Sequence, residues 1–129
     1  MGVDKEVDTV TEETDLSLRG VVVHLDDADP GVQAMAVNNI VNLLRDLGAS
    51  TPVELVLNGP GLSAGLAESP RALEIHDLLA RGVSVAACAN TMRAGDVTPD
   101  RLASGVVVVT SGVGQLVRRQ REGWAYLRP

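Results

Sequence analysis

Apolar and polar positions along this 129-residue chain switch repeatedly between a period of two and a helical period. The run Leu18-Arg19-Gly20-Val21-Val22-Val23-His24-Leu25 is β-branched and apolar and predicts a first strand. It stops at Asp26-Asp27-Ala28-Asp29-Pro30, where Asp29 can accept from free backbone N–H groups and Pro30 fits a first helical position. From Pro30 to Leu47 the spacing predicts a helix with Val32, Met35, Ala36, Ile40, Leu43, Leu44 and Leu47 on a broad apolar face, ended by Gly48. The same unit then recurs. Pro52 to Asn58 reads as a second strand, and a second helix starts at Ser69-Pro70, with Leu73, Ile75, Leu78 and Leu79 inside and Gly82 at its end. Val83 to Cys88 is a third strand, followed by short helical turns near Asn90–Arg93 and from Thr98 to Ala103. Val106 to Thr110 is a fourth strand, Val113 to Glu122 a third long helix closed by Gly123, and Trp124 to Leu127 a short last strand. Strands alternating with helices imply right-handed crossovers and an α/β domain, its mainly parallel sheet covered on both faces.

Composition sharpens this picture in two places. Phe is absent and the only aromatics are Trp124 and Tyr126, so the core must be aliphatic, as suits a buried parallel sheet. The net charge of −6 is uneven: Asp4, Glu6, Asp8, Glu12, Glu13 and Asp15 face only Lys5 in the leading segment. Residues 1–15 therefore read as a solvated, partly disordered acidic tail, and residues 16–129 as one domain. The body carries 11 acidic residues against 10 arginines, which offers nucleic acid no general attraction. No apolar run approaches the roughly 20 residues of a membrane span, and the leading segment lacks a signal-peptide layout. A cytosolic protein with no membrane and no nucleic-acid partner is expected.

The carboxyl ends of the strands gather the polar residues. His24, Asp26 and Asp27 end the first strand, Asn58 and Gly59 the second, Cys88 with Asn90 and Thr91 the third, and Thr110 and Ser111 the fourth. In a parallel sheet all of these share one edge, where α/β domains bind ligands. An acidic pair with a Thr-Ser suggests a phosphoacceptor receiver, but Cys88 and Asn90 hold the aspartate's place and the only lysine, Lys5, is in the tail. Gly61-Leu62-Ser63-Ala64-Gly65 has the letters of a nucleophile elbow; Gly59-Pro60 intervenes before it and the next helix begins too late, so it reads as a flexible loop. Gly59-x-Gly61 lacks the dinucleotide spacing, and there is no phosphate-loop lysine. Arg118, Arg119, Arg121 and Arg128 suit the negative end of a helix dipole or a subunit contact. Asn38, Asn39 and Asn42 form either a solvated stripe or a hydrogen-bonded contact.

Cys88, the only cysteine, has two readings. It can pack as a small hydrophobe. It can also react, because Ala86, Ala87 and Ala89 leave it room and Asn90-Thr91 can cap a helical turn whose free N–H groups favour a thiolate.

Four segments in order resemble the DsrE/DsrF-like family of small sulfur-relay proteins and their relatives. They are Asn38-Asn39-Ile40-Val41-Asn42, Glu54-Leu55-Val56-Leu57-Asn58-Gly59-Pro60-Gly61, Ala87-Cys88-Ala89-Asn90-Thr91 and Gln120-Arg121-Glu122-Gly123-Trp124-Ala125-Tyr126, within a resemblance that spans about residues 18–129. The resemblance implies a three-layer α/β/α sandwich with a five-stranded, mostly parallel sheet. It also implies a homotrimer or hexamer, and sulfur donor and acceptor proteins as partners. Asn58 stands where many relatives have a histidine. The expected site is then Cys88 as the persulfide-forming residue, with Asn58, Gly59, Asn90, Thr91 and His24 around it, and with neither metal nor cofactor. The alternative is an oligomeric small-ligand-binding module whose cysteine is structural. A third reading is a regulator acting through the acidic tail.

Overall fold

The computed structural model describes residues 19–129; the tail over 1–15, and Leu18 of the first predicted strand, lie outside the described residues. The chain forms strand β1 (Val21–Leu25), helix α1 (Pro30–Leu47), β2 (Val53–Leu57), a 3-10 turn over Gly59–Gly65 and α2 (Ala72–Ala80). Strand β3 (Ser84–Cys88), α3 (Ala89–Ala94), a second 3-10 turn over Pro99–Arg101, β4 (Val107–Val109), α4 (Gly112–Arg121) and β5 (Ala125–Leu127) follow. The five strands make one sheet in the order β4-β3-β2-β1-β5, and every pairing is parallel. This is the α/β architecture that the alternation of periods predicts, with helices on both faces.

The two faces are unequally covered. Side chains alternate along each strand, so Val23, Leu25, Leu55, Leu57 and Val85 point one way and meet α1 and α2 through Ala36, Ile40, Leu44, Ile75 and Leu78. Val22 and Val56 point the other way and meet only Leu116 of α4, with Trp124 beside them. A third cluster, Leu62, Ala87, Met92 and Leu102, holds α3 and the 3-10 turns against the first face.

Helix α1 starts where the sequence places it. The Asp29 side chain accepts from the Val32 amide at 3.0 Å and Pro30 follows at the first turn. Its buried stripe is Gln33, Ala36, Val37, Ile40 and Leu44. Met35 and Leu47, expected inside, are 52% and 62% exposed: Met35 lies off that stripe, and Leu47 lies on it but is the last residue of the helix, past the packed turns. Leu73 is 85% exposed because it lies on the opposite side of α2 from Ile75 and Leu78, which are buried, and Leu79, which packs partly buried against the same cluster. Ser69 does not open the helix; its hydroxyl accepts from the Arg71 amide at 2.9 Å in a turn that precedes it.

The segment over 61–65, expected to be a flexible loop, is a packed 3-10 turn with Gly61, Leu62, Ala64 and Gly65 buried. Gln33 anchors it by donating to the Ser63 hydroxyl at 2.9 Å and to the Asp27 carbonyl at 3.0 Å. Gly61 sits against the end of β1 so closely that a Cβ there would lie 2.0 Å from the Leu25 carbonyl oxygen. Backbone cannot yield as a side-chain tip does. Gly61→Ala is therefore expected to destabilise the fold by about 3 kcal/mol, at the upper end for single substitutions. Gly82→Ala, which meets open space but a φ of +90°, is expected to cost about 1 kcal/mol. Denaturant unfolding of the two variants checks the order; equal losses would contradict the close approach at Gly61.

Candidate functional site

The site follows from how the chain crosses the sheet. From β1 to β4 it advances one strand at a time, and its connections pack on the α1/α2 face. From β4 it returns across the whole sheet to β5, and α4 makes that return on the opposite face. Right-handed crossovers require this change of face when the direction reverses. The connections leaving β3 and β4 thus diverge to opposite faces. The crevice at their carboxyl ends is the topological switch point at which open α/β sheets bind ligands.

Cys88 is the last residue of β3, paired in register with Val109 of β4, and stands at that switch point. Alternation along β3 turns it toward the α4 face, and it is 2% exposed. Burial pushes its thiol pKa up. The Thr91 hydroxyl and the backbone N–H groups of Gly112, Thr91 and Asn90 push it down and prevail, so the thiol lies below its ordinary value. Cys88 stands at the N-cap of α3, where its side chain makes no capping hydrogen bond.

The neighbouring side chains fix those donors. The Thr91 hydroxyl accepts from the Gly59 amide at 2.9 Å, which leaves its own proton for the sulfur or for Asn58 Oδ1, 3.5 Å away. Gly59 presents that amide from a φ of +53°, a left-handed conformation that favours glycine. Asn58 lies beneath the first residue of α4, and a Cβ on Gly112 would meet its Oδ1 at 2.9 Å. Ser111 caps α4 by accepting from the Gly114 amide at 3.1 Å, so the free amides of the first turn point over the strand ends.

Of the residues expected here, Cys88, Asn58, Gly59, Asn90 and Thr91 come together. Their parts differ from expectation in two respects. The Gly59 amide serves Thr91 and reaches the sulfur only through it. Asn90 contributes its backbone, because its side chain accepts from the Arg93 guanidinium. The sequence reading missed Gly112, a backbone donor 24 positions further on, for which no side-chain signal exists. Among the described residues, no group of three or more His, Cys, Asp or Glu side chains is arranged to hold a metal ion.

His24 belongs to a different cluster. In register it pairs with Val56, and Val56 with Ala86, so it stands two strands away from β3 and short of the edge. Its Nδ1 shares a 2.8 Å hydrogen bond with the Tyr126 hydroxyl, while its Nε2 is buried without a partner, 3.9 Å from Asp26 Oδ2. Asp26 is instead bonded to Arg128 at 3.1 Å. Burial holds the His24 pKa below 6.5; Asp26 opposes this and Arg128 adds to it.

The comparisons with known proteins agree with this architecture. No family model matches the chain, and no curated protein does. The solved structure of MTH1491 from Methanobacterium thermoautotrophicum, a protein of unknown function, is 40% identical, with a TM-score of 0.83 over 86% of this chain and 99% of that one. The chain belongs to the family of MTH1491. The crystal structure of the ychN protein from E. coli superposes with a TM-score of 0.74 over the same shares at 17% identity, a likeness of fold alone.

The depressed His24 pKa has a stability consequence with a definite sign. Below pH 6.5 the unfolded chain takes up a proton that folded His24 resists, so stability is lost as pH falls from 6.5 toward the folded value. His24→Gln is expected to flatten this part of the stability–pH curve. Denaturant midpoints from neutral pH downward check it; an identical slope in the variant would contradict the buried neutral imidazole.

Proposed function

We propose that this protein is a cytosolic DsrE/DsrF-like sulfur carrier in which Cys88 holds sulfane sulfur between a donor and an acceptor. The observation that carries the reading is a buried thiol at the switch point whose pKa is lowered by donors from two separate segments, α3 and the start of α4. An inert packing cysteine needs no such surroundings. The four sequence segments that resemble the family add to it.

The reaction is a pair of thiol–persulfide exchanges. The Cys88 thiolate attacks the outer sulfur of a donor persulfide; a new S–S bond forms, the donor's S–S bond breaks, and the donor thiolate leaves with the electron pair. An acceptor thiolate repeats the exchange on the outer sulfur of Cys88 and regenerates the Cys88 thiolate. The amides of Gly112, Thr91 and Asn90 would stabilise the sulfur anion at both stages, in the manner of an oxyanion hole.

The chain is also proposed to act as a closed assembly of its own copies, three-fold by the family resemblance. Supporting this, one face of a five-stranded sheet, about 19 Å wide, lies under a single helix about 10 Å across. Val107, Val113, Val117 and Tyr126 are half-exposed there. Asn38 and Asn42 lie on the solvent side of α1, free for a polar contact.

Incubation with inorganic polysulfide is expected to add the mass of one sulfur atom to Cys88, reversibly on reduction, and nothing to Cys88→Ser. The rate of loading should reach half its maximum at a pH below that of an ordinary cysteine, since only the thiolate attacks. A Cys88 that stays unmodified at every pH would overturn the carrier reading in favour of a binding module with a structural cysteine. Light scattering at micromolar concentration is expected to give the mass of three or six chains, and a mass of one chain would overturn the assembly.

A further inference from the structure

Glu54 is the third-strand-from-the-edge anomaly of the sheet: a carboxylate within the run Val53–Leu57, 3% exposed, on the face that α4 covers. It is fully engaged. Its Oε1 accepts from Gln115 Nε2 at 2.8 Å and Arg119 Nε at 3.0 Å, and its Oε2 from the same two side chains at 3.0 Å and 3.4 Å. Arg119 is held in turn by Glu122 at 3.0 Å and lies over the Trp124 ring, 4.4 Å from its centroid.

Helix α4 has little else to fix it. Its only buried side chain is Leu116, whereas α1 buries five residues. One leucine on Val22 and Val56 is non-directional and allows the helix to slide along its axis. The polar contacts do not. Asn58, the extended residue directly after β2, and Glu54 on that strand point to the same face about 13 Å apart. Gly112 rests on the first, and Gln115 and Arg119 grip the second. The helix is thus pinned along β2 at both ends, and its upper end carries Gly112, packed on Asn58, whose Oδ1 lies 3.5 Å from the Thr91 hydroxyl at the Cys88 strand end. The Gly112 amide is among the groups that lower the thiol pKa.

We propose that the Glu54–Gln115–Arg119 clamp is the positioning device of the thiol site, setting how far α4 reaches along β2 and so where the Gly112 amide stands relative to the Cys88 sulfur. The proposal rests on the carrier reading for its purpose but not for its measurement. Contacts between N–H groups and a diffuse sulfur acceptor weaken steeply with distance and angle, so a shift of a few tenths of an ångström at Gly112 changes the share of thiolate. Glu54, Gln115 and Arg119 touch neither the sulfur nor anything bound to it. They act through the helix.

The test is the ultraviolet titration of the single thiolate, read against Cys88→Ser, in the full chain. Glu54→Gln keeps the shape of the side chain and weakens the hold on Arg119, and is expected to lower the thiolate fraction at neutral pH several-fold. Gln115→Ala removes one donor and leaves the ion pair, and is expected to move the titration in the same direction by less. Ile40→Val, in the core of the opposite face, lowers stability without touching α4 and is expected to leave the titration unchanged. Should Glu54→Gln fail to fold, Gln115→Ala carries the test alone. Clamp variants that fold and titrate like the parent overturn the proposal, as does an equal shift in Ile40→Val. Sulfur loading is scored separately: a thiol that never loads but still shifts with Glu54→Gln sinks the carrier reading and leaves the clamp standing.

Discussion

The handedness of the last crossover is the constraint on which the rest depends. After four strands laid down in sequence, the chain has one long step to make, from β4 back past β3, β2 and β1 to the free edge. A right-handed return is open only on the face that α1 and α2 leave bare. That single step separates the connections after β3 and β4, places Cys88 at the switch point between them, and brings the first amides of α4 over the strand ends. The thiol environment is therefore a property of the topology first and of the local sequence second.

Packing and chemistry divide the sheet between its two faces. The α1/α2 face holds the long aliphatic side chains in one contiguous cluster and supplies most of the apolar burial. The α4 face is mixed, with Glu54, His24, Asn58 and Cys88 set among Val22, Val56 and Ala86. Such a face must satisfy its charges and hydrogen bonds specifically, because apolar contact there is thin. Glu54 achieves this with two partners, while His24 leaves one ring nitrogen unpaired and remains neutral.

Much of the fold was legible in the sequence because its signals are local. Asp29-Pro30 marks a helix start whatever surrounds it, and the β-branched runs at Val21–Val23 and Val107–Val109 are strands by period and composition. The misplaced Met35, Leu47 and Leu73 show the limit of period alone, since a wide apolar stripe does not reveal which part of it meets the sheet. The position of Cys88 at a strand end was equally plain, and Asn58, Gly59 and Thr91 were near enough in pattern to be gathered with it. Gly112 was not, because a backbone amide leaves no trace in the identity of a residue. Glu54 did leave one: a carboxylate inside an apolar strand announces that a buried partner must exist, but not that it is Arg119, 65 positions away. The partner of His24 is 102 positions away and equally silent.

The clamp on α4 also bears on how this sequence can drift over generations. A buried carboxylate that loses its guanidinium is left worse off than an apolar pair of the same volume, so neither Glu54 nor Arg119 can be exchanged gradually. The substitutions that conserve the fold are concerted ones, in which position 54 turns apolar together with position 119 and position 115 gives up its amide. Lineages of this family are therefore expected to fall into two discrete classes at these three positions, with few intermediates between them.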